Sequence, residues 1–321
     1  MAFQQLANIE DLLWPRGFTR DVWMIVDAAR DTRIYPMLIA SYMEYSCLYS
    51  GRLAPAVERV APYLVQLEFE NSYTRRLLEN AWGNSWGIIL KCDSSVQKLR
   101  RHLRQFLMVR DPRGQQVLFR YYDPRVLRVY LPTCLEDELQ SMFGPIDCFW
   151  VEGTASENIL ELRLDGGKLV QRTLSLATGS SPQGPGLESQ SNEASRARAR
   201  ARHGLLTIRQ AQLSAFSRAA VQKFEEWMLA HLRQFFPKQC EVLREPQLRE
   251  LIQYGIERAA NHKIVIERDV CKFIDLMIVF GRNFDTDRRF PWASQILANR
   301  KTARSKIRSL YEVAGTQLGR P

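Results

Sequence analysis

Residues 177–204, ATGSSPQGPGLESQSNEASRARARARHG, are rich in Gly, Pro, Ser and Arg and hold almost no large apolar side chain. Such a stretch cannot bury enough surface to offset the entropy of ordering it, so it reads as a flexible linker. The 321-residue chain therefore divides into two regions, each of which must build its own core. Before the linker, short apolar or alternating runs are interleaved with helical patterns. After it, only the helical period is present. The expectation is an α/β N-terminal domain with a mixed sheet over 1–176, the linker over 177–204, and an all-α helical C-terminal domain over 205–321.

In the first region Val22–Asp27 is an apolar run closed by an acid, a candidate buried strand. A helix through Ile34, Leu38 and Ile39 follows. Tyr63–Glu68 alternates, Tyr73–Trp82 has the helical period, and Trp86–Cys92 returns as a strand. Ser94 and Gln97 form a capping box, as do Thr133 and Glu136. The stretches 106–110 and 116–122 flank Asp111–Gly114 as a hairpin, and Leu160–Leu164 and Lys168–Leu174 flank Asp165-Gly166-Gly167 as another. Asp123 before Pro124 predicts a helix start, because proline lacks the N–H that would go unpaired there. Asp147–Val151 is a further strand. In the C-terminal region the helical stripes include Leu213, Phe216, Ala220, Phe224, Trp227, Met228, His231 and Phe235, then Leu248, Ile252 and Ile256, then Val270, Phe273, Ile274 and Met277, then Ile307, Leu310 and Ala314.

Charge is uneven. Residues 1–153 balance 18 basic against 18 acidic side chains, whereas residues 205–321 carry 20 against 12, most of the overall +10. The C-terminal region therefore favours acidic partners. No apolar run approaches the roughly 20 residues a membrane span needs, and the N-terminus lacks the basic and apolar regions of a signal peptide. The six cysteines, at 47, 92, 134, 148, 240 and 271, form no CxxC pair and read as reduced thiols of a cytoplasmic protein.

Few patterns suggest chemistry. Gly83-Asn84-Ser85-Trp86-Gly87 matches G-x-S-x-G, whose serine sits on a strand-to-helix turn in α/β hydrolases. Here a helix precedes the motif and a strand follows, so Ser85 is an alternative reading only. His102, His203, His231 and His262 have no His or Cys at i+3 or i+4, so no metal site is expected. No phosphate-cradling glycine loop is present, and no cofactor is expected. Arg196, Arg198, Arg200 and Arg202 in the linker, Lys98, Arg101 and Arg104, and above all the basic C-terminal third, 205–321, leave nucleic-acid binding as a further alternative. The stretch 119–132 is dense in aromatics and arginines, residue types that protein interfaces enrich. Read as a strand, it puts Phe119 and Tyr121 on one face and Arg120 and Tyr122 on the other.

Five segments then occur in one order: VDAARDTRIYPML (26–38), PYLVQLE (62–68), WGNSWGIIL (82–90), FRYYDPRVLRVYLPT (119–133) and FGPIDCFWVE (143–152). Together they resemble the domain of unknown function found in type VI secretion effector chaperones, or adaptors, over about residues 20–152. LTIRQAQLSAF (206–216) and ERDVCKFIDLMIVFG (267–281) resemble tails attached to that family. The resemblance implies a non-enzymatic protein that binds an effector toxin in the bacterial cytoplasm and helps load it onto the VgrG spike. It carries over no catalytic residue. Its recurrent residues map onto Asp27, Tyr35, Pro36, Trp82, Gly83, Ser85, Trp86, Gly87, Arg120, Tyr122, Asp123, Pro124, Arg125 and Leu127. With the aromatic and arginine stretch, they nominate Trp82, Trp86, Arg120, Tyr122, Asp123, Arg125, Arg128 and Tyr130 as partner-binding candidates. Protein partners are expected, with no membrane, nucleic acid or small-molecule substrate.

Overall fold

Strands that are apolar along their whole length are stable only where both faces of their sheet are covered. β1 (Val22–Asp27) is buried at all of its positions. In the computed structural model, which describes residues 3–15, 21–155, 157–176 and 205–319, β1 lies inside a seven-stranded sheet. Its neighbours are β3 (Pro62–Gln66) and β4 (Gly87–Lys91). β2 (Tyr45–Cys47) lies beyond β3, and β7 (Cys148–Glu152), β8 (Asn158–Asp165) and β9 (Lys168–Ser175) lie beyond β4. Each neighbouring pair is antiparallel. β5 (Met108–Arg110) and β6 (Gln116–Leu118) form a separate two-stranded sheet, to which Thr207 adds a parallel bridge at Arg110.

The two-residue strand period distributes the central side chains between two cores. Trp23, Ile25, Ile88, Leu90, Phe149 and Val151 face one. Met24, Val26, Ile89, Cys148 and Trp150 face the other. Leu99 and Leu103 of α5 (Val96–Arg104), Leu127 of α6 (Pro124–Tyr130) and Leu139 of α7 (Glu136–Phe143) join the first core. α1 (Phe3–Leu13), α2 (Ile34–Ala40) and α4 (Ser72–Ala81) join the second through Ile9, Leu38 and Leu77. α3 (Pro55–Glu58) has no buried residue. The result is the expected α/β architecture, a sheet between two helical layers.

The remaining elements are α8 (Gln210–Phe235), α9 (Pro237–Val242), α10 (Glu245–Asn261), α11 (Glu267–Phe280), α12 (Pro291–Ala298) and α13 (Ala303–Gln317). They pack around Met228, Leu232, Ile252, Phe273, Ile274 and Leu310, the all-helical unit the sequence predicts. On α8 the buried face is rotated from the predicted stripe. Leu229 and Leu232 are buried, while Trp227 and Phe235 are exposed. No helix among the described residues is long and apolar enough to cross a membrane.

The expected linker, 177–204, lies outside the described residues. The compact units divide between Phe216 and Ser217, inside α8, so residues 205–216 belong to the first unit and not to the helical one. The backbone explains why. Arg110 N–H donates to Leu206 O and Ile208 N–H to Arg110 O, both at 2.8 Å. Ile208 enters the first core. The Arg209 guanidinium donates to Glu138 Oε1 at 2.8 Å, and the buried Gln212 amide donates to Glu138 Oε2 at 3.1 Å.

Three local expectations are corrected. α5 begins one residue later than Ser94 predicts, and its N-cap, Ser95, makes no side-chain bond. Thr133 and Glu136 form no capping box. Leu135 N–H donates to Glu138 Oε2 at 2.8 Å, and the Thr133 hydroxyl donates to Tyr130 O. The hairpin strand stops at Leu118. Phe119, Tyr121 and Tyr122 are all buried in a turn rather than divided between two strand faces.

A fragment of residues 1–216 should therefore fold and melt well above one of residues 1–176. The shorter fragment loses buried Ile208 and leaves buried Glu138 without Arg209 and Gln212, a cost of at least about 2 kcal/mol. Urea unfolding of both fragments checks this; equal midpoints would show that 205–216 contribute nothing.

Candidate functional site

The antiparallel register brings three chain segments to one end of the sheet. Val26 pairs with Gly87, so Asp27 lies beside the turn before β4, and its N–H donates to Trp86 O at 2.7 Å. β7 runs antiparallel to β4 and ends at Glu152, at the same end. The turn leading into α6 supplies Arg120 and the N-cap Asp123, and α6 itself supplies Arg125 and Arg128.

Each acid there is buried and held. Asp27, 1% exposed, is ion-paired with Arg120 and accepts from Ala29 N–H at 3.1 Å. Asp123 is the N-cap of α6. Its Oδ1 accepts from Arg125 N–H and Nε–H, both at 2.9 Å, and its Oδ2 from the guanidinium NH2 at 2.5 Å. Burial pushes the Asp123 carboxyl up, but the Arg125 bonds outweigh it and hold the group below the ordinary carboxylate range. Glu152 accepts from Ser85 N–H at 3.1 and 3.2 Å. Arg128 donates to the backbone carbonyls of Glu152 and Gly153. With no ion pair on its carboxylate among the described residues, Glu152 is pushed by burial up to about 7, only partly opposed by the Ser85 N–H and by Arg128. Burial likewise lowers Arg128.

The G-x-S-x-G segment is the connection from α4 to β4. α4 ends at Ala81, Gly83 takes φ 81° and Ser85 φ 53°. A Cβ on Gly87 would lie 1.9 Å from Ile25 O, so only glycine lets β4 approach β1 there. Ser85 Oγ has Glu152 Oε2 as its partner, at 3.5 Å. His102, the one histidine among the described residues of this unit, pairs through Nε2 with Met142 O at 3.0 Å.

Of the nominated residues, Asp123, Arg120, Arg125 and Arg128 lie in this network. Trp82 and Trp86 are buried in the core on one face of the sheet and Tyr122 and Tyr130 in the core on the other; Tyr130, at the far end of α6, packs against Phe119 at 4.9 Å. The side chains of Arg120 and Arg125 are 39% and 38% exposed. Two further exposed arginines extend the rim. Arg30 donates to Asn84 O at 3.4 Å, and Arg33 lies over the Trp86 ring at 5.4 Å. Glu152 was not among the nominated residues, although a signal exists. It closes the apolar strand CFWVE as Asp27 closes VWMIVD, and an acid at the end of a buried strand requires partners. A separate donor cluster, His231, Cys271 and Asp275, lies in the helical unit.

A family model described as a domain of unknown function, DUF4123, matches residues 22–141, from the start of β1 into α7. The match includes Asp27, Ser85, Arg120, Asp123, Arg125 and Arg128 and stops short of Glu152. The chain matches no curated protein and no solved structure.

Two outcomes follow from the network. Because Glu152 titrates at about 7 when folded, the folded chain holds its proton more tightly than the unfolded one. That stability, about 3 kcal/mol, is present below the ordinary carboxyl pKa and is lost as pH rises through about 7. Glu152→Gln should flatten the fall in urea midpoint between pH 5 and pH 8; an unchanged slope would place the proton elsewhere. Asp123→Ala should cost about 1–2 kcal/mol through loss of the cap. Asp123→Asn, which still accepts from Arg125 N–H, should cost less. Equal losses would exclude the capping role.

Proposed function

We propose that this protein is a non-enzymatic adaptor that binds a type VI secretion effector in the bacterial cytoplasm and promotes its loading onto the VgrG spike. The observation that carries the reading is the DUF4123 match over residues 22–141, a domain associated with effector chaperones of that system. The site supports it. Its buried acids are taken up by guanidinium and backbone N–H groups, an arrangement that stiffens the end of the sheet. Its exposed groups are arginines, which favour an acidic segment of a protein partner and steer its approach.

A serine hydrolase built on Ser85 is disfavoured. The serine sits between a helix and a strand, in the reverse of the order the chemistry uses, and its neighbour is a carboxylate rather than an imidazole. Nucleic-acid binding by the basic region 205–321 has no recognised reading module to support it, and the linker arginines lie outside the described residues.

The test is affinity capture by the full-length chain from its native cytoplasm at low and high salt, with the bound proteins identified. The expected result is recovery of an effector toxin and a VgrG-type spike. Arg30→Glu combined with Arg33→Glu should lower recovery several-fold at low salt with an unchanged melting temperature. Hydrolysis of a simple ester that disappears in Ser85→Ala would overturn the adaptor reading.

A further inference from the structure

His231 on α8 and Cys271 and Asp275 on α11 converge within the helical unit, 40 and 44 residues apart in sequence. Cys271 Sγ lies 3.6 Å from His231 Nε2 and 3.9 Å from Asp275 Oδ2, and His231 Nε2 lies 2.9 Å from Asp275 Oδ1. One ligand atom from each residue falls within 4.8 Å of the other two. Cys271 and Asp275, four residues apart on one helix, share a face. Cys271 is buried, while the His231 and Asp275 side chains are 17% and 16% exposed, so the cluster reaches solvent on one side.

Two chemistries use a thiol, an imidazole and a carboxylate. In a nucleophilic triad the base meets the thiol with one ring nitrogen and its orienting acid with the other. Here both address the same nitrogen, Nε2, so the ring cannot relay a proton between them. Convergence of all three donors on one point is instead the geometry of a shared ion. Ligands of one tetrahedral zinc lie about 3.6 Å apart for sulfur and nitrogen, about 3.5 Å for sulfur and oxygen, and about 3.3 Å for nitrogen and oxygen, given metal–ligand lengths of about 2.0–2.3 Å. The sulfur–nitrogen spacing matches; the sulfur–oxygen and nitrogen–oxygen spacings, each within about half an ångström, belong to different oxygens of Asp275, so a turn of its carboxylate brings one oxygen to both donors.

We propose that His231, Cys271 and Asp275 bind a divalent ion of the zinc class, with solvent as the fourth ligand. A thiolate, a carboxylate and a neutral imidazole carry two negative charges, which the ion neutralises. This proton-coupled ligation is how a buried thiol becomes a ligand. Tyr311 supplies the outer shell. Its hydroxyl lies 3.2 Å from Asp275 Oδ2 and 3.2 Å from Lys272 O, and so orients the carboxylate. The Lys272 ammonium lies over the Tyr311 ring at 5.3 Å. Trp227 stacks on the His231 ring at 5.3 Å, and Phe235 packs against it at 4.7 Å, holding the imidazole in place. An ion here would clamp α8 to α11, independently of the adaptor reading.

The experiment titrates the chelator-treated full-length chain with Co2+ and then Zn2+. One equivalent of Co2+ should give a thiolate-to-cobalt charge-transfer band and the visible bands of tetrahedral cobalt, and Zn2+ should bleach both. Cys271→Ser should abolish the charge-transfer band, and Cys240→Ser should leave it intact. His231→Gln and Asp275→Asn, at positions that reach solvent, should each weaken Zn2+ binding at least tenfold. If Cys271→Ser fails to fold, these two variants decide the question alone. Absence of the band, its survival in Cys271→Ser, or unchanged Zn2+ affinity in His231→Gln would overturn the proposal.

Discussion

A carboxylate removed from water must be matched by donors or it will not stay charged. Asp27, at the end of β1 and 1% exposed, imposes that requirement on the first unit. Its match is Arg120, 93 residues away. That pair draws the turn 119–123 against the end of the sheet and thereby fixes where Asp123 can start α6. From α6, Arg128 reaches the carbonyls of Glu152, the last residue of β7, and of Gly153 just beyond it. Replacing such a pair with apolar groups need not destabilise a protein, whereas breaking it exposes the full desolvation cost. The pair is thus better understood as a device that selects one docking of α6 than as a source of net stability.

The same end of the sheet explains the glycines and the serine. β4 can lie beside β1 only if residue 87 has no side chain, because Ile25 O occupies the position of its Cβ. The chain leaves α4 through positive φ at Gly83 and Ser85 and presents the Ser85 N–H to Glu152. A motif that resembles a nucleophile elbow in one-letter code is here a helix-to-strand turn. Its hydroxyl is incidental, and its backbone N–H makes the structural bond.

How much of this was legible follows from the range of each interaction. β1, β4 and β7 and the Asp123–Pro124 helix start were readable, because apolar runs and caps are encoded within a few residues. The antiparallel order of the sheet was not, since register depends on pairings between distant strands. Treating 119–122 as a strand failed because its alternation of aromatics and arginines has another cause. The aromatics fill a core, while Arg120 answers Asp27. The boundary at 205 failed for a related reason. Composition marks where apolar residues resume, but Ile208, Arg209 and Gln212 have their partners at Arg110 and Glu138, and no local pattern announces that. His231, Cys271 and Asp275 escaped a search for spaced ligands because two helices contribute them.

The distribution of charge then separates two kinds of polar site. Where acids and arginines are matched within a buried network, as at Asp27, Asp123 and Arg125, the bonding capacity is consumed internally, and what faces solvent is the outer edge of guanidinium groups. Such a surface is positively charged and held rigid from beneath. It loses little side-chain entropy when a partner's carboxylates arrive, and it can discriminate by bidentate geometry. Chemistry on a bound substrate asks for the reverse, a group left unsatisfied and poised near its reacting partner. At the end of this sheet the most perturbed acid, Glu152, already has its acceptors engaged by the Ser85 turn. On the proposed adaptor reading, the buried acids would fix the arginines that a partner's carboxylates meet.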